Sequence, residues 1–111
     1  MSVLSRQRPI RTWSAVITAL MQIADNKAQL LAHREESWAS VTFSGTRHSV
    51  KLRFEGIEAA IIGEAMIEEL PEHEFTIAGQ LVADCAVSSI ERTVNPLALT
   101  IEVDLLLLEE D

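Results

Sequence analysis

The chain contains three histidines, the residue type most often used for proton transfer and for binding transition metals. They are His33, His48 and His73, and the gaps of 15 and 25 positions between them match no local metal spacing such as H-x-x-x-H. A zinc site would require the fold to bring them together with a carboxylate. We expect surface or helix-end histidines instead, with His33 at the C-terminal end of the first helix, where the helix dipole favours positive charge. The sequence therefore predicts no metal site.

The most suggestive local cluster is Glu72-His73-Glu74, which lies between Pro71 and Phe75. Two carboxylates beside a histidine favour its charged form, as a general acid or a pH-sensitive contact requires. Acid–base catalysis also needs a concave pocket, which a local pattern does not supply. We favour a solvated loop between a helix and a strand, and keep these three charged residues as candidates for ligand binding.

Asp84 and Cys85 lie in a largely apolar stretch typical of a strand. Strict alternation would place Cys85 with Leu81 on one face and Asp84 with Val82 on the other. Cys85 is then a core residue rather than a nucleophile, because no basic residue lies nearby in the sequence to lower its pKa. Asp84 is a further candidate site residue, and it would need a basic partner if that face were covered.

Motifs with a known catalytic or cofactor-binding mechanism do not occur. The chain has no phosphate-binding glycine loop, no G-x-S-x-G, no H-E-x-x-H and no Cys-x-x-Cys, and its four glycines could build few such loops. The formal net charge of −8 disfavours specific binding of nucleic acid. The sequence thus predicts no cofactor and favours an interaction or binding module over an enzyme.

Two segments have the periodicity of amphipathic helices that would position these residues. Apolar residues recur at helical spacing from Trp13 to Leu31, with Thr12 available as the N-cap and Asp25-Asn26 as a point where the helix could end early. A second helix is predicted from Ile57 to Leu70, before Pro71. Gly63 falls on its packing face, where the missing side chain would allow close approach to a sheet.

Two hairpins follow these helices. In the first, alternation over residues 39–43 and again over residues 50–54 indicates two strands joined by a turn at Ser44-Gly45-Thr46. In the second, strands of about residues 77–90 and 97–108 are joined through Val94-Asn95-Pro96. The order helix, hairpin, helix, hairpin predicts an α+β fold. It is a two-layer sandwich of αββαββ order, with a four-stranded antiparallel sheet and two helices on one face.

The domain organisation follows from length and composition. We expect a basic tail over residues 1–11 and one domain over residues 12–111, built of two α-β-β units. The basic tail resembles a targeting segment in composition, but a plain tail before the first helix is the simpler interpretation. No apolar run is long enough to cross a bilayer, and a single cysteine fits a reducing compartment, so the expected location is the cytoplasm.

The charges are divided along the chain. Eight of the nine basic residues lie in the first 53 positions, whereas 14 of the 17 carboxylates lie in the remainder. If the central two strands are the second strand of each hairpin, Lys51 and Arg53 could stand opposite Glu102 and Asp104 and stabilise the pairing of those strands. The division would then record internal pairing rather than an external partner.

Surplus apolar surface predicts self-association. Ile57 and Ile61 fall among the glutamates of the second helix, and Leu106 and Leu108 lie on the outer side of the last strand. We expect a homodimer that covers these four residues, because most oligomers are symmetric pairs. The expected function is an acidic interaction or binding module with a protein or small-molecule partner. The alternative is a small enzyme or ligand-binding protein with an acid–base pocket near residues 72–74 or Asp84.

Overall fold

The computed structural model describes residues 8–110, and for residues 8–11 the backbone alone. The elements follow in the order α1 (Arg8–Ile23), β1 (Gln29–Ala39), β2 (Ser44–Glu55), α2 (Ile57–Glu69), a 3-10 turn (Leu70–Glu72), β3 (Gln80–Thr93) and β4 (Ala98–Glu109). The four strands form one antiparallel sheet in the order β1-β2-β4-β3. The predicted α+β fold of αββαββ order is therefore confirmed, and the second strand of each hairpin is central.

The core lies between the two helices and one face of the sheet. Val50 on β2 stands opposite Val103 on β4, and Leu52 stands opposite Ile101, so the inward side chains of the two central strands form one apolar layer. These side chains are almost completely removed from water, and burial of each contributes roughly 1.5–3 kcal/mol relative to exposure. The helices complete the core with Val16, Leu20, Ala59 and Met66, and Ala24 and Leu70, which directly follow the two helices, add to it.

Helix α2 lies close to the sheet at Gly63, as the sequence predicted. A Cβ atom on Gly63 would lie 2.7 Å from Leu99 Cδ2 and 2.8 Å from Phe54 Cδ1. Both contacts are shorter than ordinary van der Waals separation, so alanine would force the core to move. Arg92 also ties β3 to this helix, because its Nε and Nη2 atoms donate to the Glu64 carboxylate at 2.7 and 2.8 Å.

The first helix ends earlier than its periodicity predicted, and this corrects the position of His33. The chain leaves α1 at Ile23 and turns through Asp25 and Asn26, which adopt positive φ angles of 54° and 56°. These two residue types tolerate the left-handed region better than most. The segment predicted as the end of the helix is the start of β1, so His33 is a strand residue and does not face a helix dipole.

The start of α1 also differs from the prediction. The helix begins at Arg8, so Thr12 lies inside it rather than at its N-cap. Residues 8–11 of the predicted basic tail thus belong to α1. The remaining part of that tail, residues 1–7, lies outside the described residues.

The first hairpin is confirmed, but its turn was misplaced. The chain turns at residues 40–43, where the Ser40 amide donates to the Phe43 carbonyl at 2.8 Å and the Phe43 amide donates to Ser40 Oγ at 3.1 Å. Gly45, predicted in the turn, lies in β2 opposite Leu108. It is buried there, and a Cβ atom would collide with the backbone carbonyl of Leu107. The glycine is required by the close approach of β4 rather than by turn geometry.

Strict alternation in β3 was wrong, because its pairing with β4 shifts register twice, between Val82 and Asp84 and between Val87 and Ser89. A register shift between Val82 and Asp84 places Val82 opposite Leu107 on the helix side, whereas Asp84 lies opposite Leu106 on the other side. Such a bulge inserts one residue and changes which side chains share a face. Leu81 consequently lies on the opposite face from Cys85 and is 50% exposed.

Candidate functional site

The helices cover one face of the sheet and leave the other face, here called the outer face, open. Its charges are separated by strand. The first pair of strands, β1 and β2, contributes mostly basic side chains, namely Arg34, Arg47, Lys51 and Arg53, together with the carboxylates of Glu36 and Glu55. The second pair, β4 and β3, contributes four carboxylates, those of Asp84, Glu91, Glu102 and Asp104. The outer face therefore has a basic half and an acidic half.

The two halves meet where β2 pairs with β4, so the predicted adjacency of these two strands is confirmed. Lys51 stands directly opposite Glu102. The other two residues of the predicted set stand opposite uncharged residues. Arg53 is opposite Thr100 and forms its ion pair with Glu55 within β2, and Asp104 is opposite Ser49. Only one of the two predicted cross-strand pairs is thus in register.

Glu102 is the best connected charge on the outer face. Ser49 Oγ donates to its Oε2 atom at 2.9 Å, and Arg34 Nη2 lies 3.8 Å from the same oxygen. The side chain of Glu102 is 28% exposed, whereas that of Arg34 is 78% exposed. The contact holds three strands together but leaves most of the arginine in water.

A hollow of about 400 Å³ opens beside this contact. It presents side chains of both signs, so it could hold a zwitterionic or doubly charged group rather than a simple anion. Its lining comprises five outer-face residues, Arg34, Glu36, Arg47, Ser49 and Asp104, together with Glu35, His48 and Leu105.

A second group of polar side chains, here called the histidine cluster, lies on the helix side of the sheet and consists of His33, Glu35 and His48. His33 and Glu35 are two positions apart on β1 and so share a face, and Glu35 stands opposite His48 on β2. His33 Nε2 and His48 Nδ1 are 3.0 Å apart, with stacked rings. His48 Nε2 lies 2.9 Å from Thr46 Oγ1. Both nitrogens of His48 are therefore satisfied.

His48 is almost fully buried, with 1% of its surface exposed. Burial, and secondarily the charge on His33 when that ring is protonated, lowers the pKa of His48 from 6.5 to about 4. The buried imidazole is thus neutral at physiological pH. A neutral imidazole with one nitrogen held by a hydroxyl keeps the other nitrogen oriented toward its neighbour.

Trp13 covers the other side of His33. The two ring centroids are 5.1 Å apart and tilted by 50°. Since Glu35 is exposed and His33 is half-buried, the histidine cluster is closed on the core side and open to solvent at Glu35. Small ions could reach it from that side.

The loop cluster predicted from the sequence is a surface feature. His73 Nδ1 lies 3.5 Å from Glu69 Oε2, and its ring packs edge-on against Phe75 with centroids 4.6 Å apart. Glu72 and Glu74 are exposed. Two open hollows of about 500 Å³ adjoin this loop, and His73 and Glu74 line both. The partner of His73 is thus a helix carboxylate, not one of its two sequence neighbours.

Asp84 is separate from that loop. It lies exposed on the outer face of β3, and neither hollow at His73 includes it. Cys85 points to the helix side and packs against the core. Burial, with the charges of Asp84 and Asp104, raises the pKa of the Cys85 thiol to about 11. These surroundings disfavour a nucleophilic thiolate.

The four predicted interface residues lie on two different surfaces. Ile57 and Ile61 are 69% and 65% exposed on the water side of α2. Leu106 and Leu108 are half-buried on the outer face of β4. One contact with one partner could not cover both pairs, because the sheet lies between them.

The histidine cluster was missed because the strand that carries two of its members was assigned to a helix. The sequence held a signal, since the pattern His33-x-Glu35 puts an imidazole and a carboxylate on the same face of any strand. His48 lies in the same alternation as Val50 and Leu52, which were correctly placed on the core face. A polar residue at a core-facing position of a strand, such as His48, is the sequence signal that indicates a buried polar cluster.

No family model matches the chain, and no curated protein matches it. Among solved structures, a chain from the virion of the native gene transfer agent particle is similar, with a TM-score of 0.51 and 10% sequence identity. The match covers 89% of this chain and 92% of that chain. At this identity the likeness concerns the fold alone. Among the described residues, no helix is long and apolar enough to cross a membrane.

Proposed function

We propose that this protein is a self-associating interaction module that pairs with a second copy through the outer face of its sheet. The observation that carries the proposal is the division of that face into a basic half and an acidic half. A twofold axis parallel to the strands would place the basic half of each copy on the acidic half of the other. The same surface is then complementary to itself, as a symmetric pair requires.

The size of the outer face suits a stable dimer. Strands of 11 to 14 residues span about 40 Å at about 3.3 Å per residue, and four strands span about 19 Å at about 4.8 Å each. Their product is roughly 800 Å² per copy, which is the area that each partner contributes to an interface of standard size. Leu81, Leu106 and Leu108 at one end of the face would add apolar contact.

The likeness to a chain of a virion particle agrees with this proposal, because it is a case of a similar fold within an assembly. For the present chain we extend the likeness only to contact between copies. The proposal includes the expectation of a reducing compartment such as the cytoplasm, given the single cysteine. The exposed isoleucines of α2 are left for a different protein partner.

Charge reversal on the outer face tests the proposal. One variant carries Arg47→Glu and Lys51→Glu, which makes both halves acidic, and the other carries Asp84→Lys, Glu91→Lys and Asp104→Lys, which makes both halves basic. We expect the wild-type protein to reach twice its 12.3 kDa mass in light scattering over a concentration series. Each variant alone should stay monomeric at the same concentrations, whereas an equimolar mixture should form the pair again.

The matched control carries Glu68→Lys and Glu72→Lys, exposed substitutions on the helix side that change the net charge in the same direction as the basic variant. This control should associate as the wild type does, and circular dichroism should show that all variants are folded. A wild-type protein that is monomeric throughout would overturn the proposal. If each variant still forms a dimer alone, the dimer contact lies elsewhere on the protein. If the mixture fails to form a dimer, charge complementarity is not the basis of the contact.

A further inference from the structure

We infer that His33, Glu35 and His48 form a binding site for a divalent transition metal, with zinc as the ion it fits best. The site lies on the helix side of the sheet between β1 and β2, and Glu35 and His48 also line the hollow beside Glu102. Two imidazoles and one carboxylate are the ligand types that zinc accepts, and three protein ligands leave a fourth position for water.

The separation of the ligand atoms fits one ion. One ligand atom from each of the three residues can be chosen so that all lie within 4.8 Å of one another. Two nitrogens bound to one tetrahedral zinc at 2.0–2.1 Å are about 3.3 Å apart. The two imidazole nitrogens are 3.0 Å apart in the ion-free arrangement. An ion would therefore require these atoms to separate by only a few tenths of an ångström.

The hydrogen bonds around His48 prepare one nitrogen for a metal. When the Nε2 proton of His48 is donated to Thr46 Oγ1, the Nδ1 atom has its lone pair directed at His33. A second partner that fixes the tautomer of a ligating histidine is a regular part of metal sites. Binding would replace the proton between the two rings with the ion, and the proton of His33 would reside on its Nδ1 atom. The protein then gains a metal contact while the hydroxyl contact is retained.

The surroundings also match a site rather than a chance contact. Trp13 packs against His33, and the core closes around His48, so two ligands are held by packing on both sides. The third ligand, Glu35, is on the exposed flank and provides both the entry path and the negative charge that favours a cation. A simple hydrogen bond between the two imidazole rings would not require a carboxylate beside it.

Metal binding can be measured directly on the full chain. Protein stripped with a chelator and dialysed should take up one zinc ion per chain in calorimetry, and cobalt as a probe should give the absorption of a tetrahedral site. We expect His33→Ala to weaken zinc binding by more than about 100-fold and Glu35→Gln to weaken it by about 10-fold. His73→Ala, which removes the histidine outside the cluster, should bind zinc as the wild type does.

Nitrogen chemical shifts of the imidazoles provide a second measurement that does not depend on the variants. Zinc should move the signals of His33 Nε2 and His48 Nδ1 and leave those of His73 in place. Because His48 is buried and its replacement could unfold the chain, the test rests on the more exposed ligands and on these shifts.

Three results would overturn the inference. Absence of zinc uptake by the wild-type protein would leave the histidine cluster as a structural hydrogen bond. Uptake that survives His33→Ala, or that His73→Ala reduces equally, would place the metal elsewhere. If His33→Ala loses zinc binding while Glu35→Gln binds zinc as tightly as the wild type, Glu35 is not a ligand and the three-ligand site is refuted.

Discussion

Replacement of Gly45 by alanine should destabilise the protein strongly, because the new Cβ atom would have no space beside β4. The atom would overlap the Leu107 carbonyl oxygen and lie 2.9 Å from Leu107 C and 3.0 Å from Leu108 Cα. All three are backbone atoms, so no side-chain rotation can relieve the overlap. The two central strands, β2 and β4, would have to separate locally at this end of their pairing.

The cost can be estimated from its parts. Overpacking of this kind costs about 1–3 kcal/mol, and each backbone hydrogen bond lost at the end of the pairing costs about 1 kcal/mol. The preference of a strand for alanine over glycine returns about 0.5–1 kcal/mol. The free energy of unfolding should therefore fall by about 2–3 kcal/mol, which for a domain of this size lowers the melting temperature by roughly 10–20 °C.

Urea unfolding followed by circular dichroism and tryptophan fluorescence measures this change. Trp38 stands opposite Gly45 across the β1–β2 pairing and is a local reporter. The control is Ser44→Ala at the exposed start of the same strand, which should alter the unfolding free energy by less than about 0.5 kcal/mol. If Gly45→Ala were as mild as the control, Gly45 would be an ordinary turn or strand residue and the close approach of β4 would be refuted.

Two further predictions concern buried titratable groups. The pKa of the His48 imidazole is 6.5 in the unfolded chain and about 4 in the folded protein. The free energy of unfolding should therefore be highest above about pH 6.5 and fall by about 3 kcal/mol as the pH drops toward 4. Urea unfolding in chelator should show this slope, and its persistence in His48→Gln would contradict the assignment. The Cys85 thiol, with its pKa raised to about 11, should react with a disulfide reagent at pH 8 at least about 100-fold more slowly in the native protein than in urea, and equal rates would refute its burial.

The elements that were predicted correctly are those with the strongest local sequence patterns. Helix α2 was placed nearly to the residue, because its apolar stripe is bounded by Gly56 and Pro71, which mark its two ends. The inward positions of the central strands were also correct, since Val50, Leu52 and Phe54 alternate without interruption. In these segments, the hydrophobic periodicity and the residues that end the element indicate the same structure.

The errors fell where tertiary contacts decide between two compatible patterns. The segment after α1 contains apolar residues that fit a helix, yet pairing with β2 makes it an edge strand on which Leu30 and Leu31 remain 41% and 48% exposed. Hydrogen bonding to a neighbouring strand outweighs weak helical periodicity here. The bulge at Val82 and the role of Gly45 likewise depend on the partner strand, whose position the local sequence does not contain.

The strand order explains how a division of charge along the chain becomes a division across a surface. The order β1-β2-β4-β3 keeps the two strands of the basic front half on one side and the two strands of the acidic back half on the other. An interleaved order would have mixed the charges. Within the chain, Lys51 stands opposite Glu102 and Arg47 opposite Glu36. Glu102 and Glu55 form ion pairs with Arg34 and Arg53.

Two further charges of the outer face lie on either side of Leu106. Arg47 and Asp84 flank Leu106 from opposite sides and are both exposed. They gain little from neighbours in their own chain, because exposed charges contribute about 0–1 kcal/mol even when paired. In the proposed pair of copies, the basic half of one outer face would lie over the acidic half of the other and exclude water from such charges. The same topology thus provides pairing within the chain and is the basis of the proposed contact between copies.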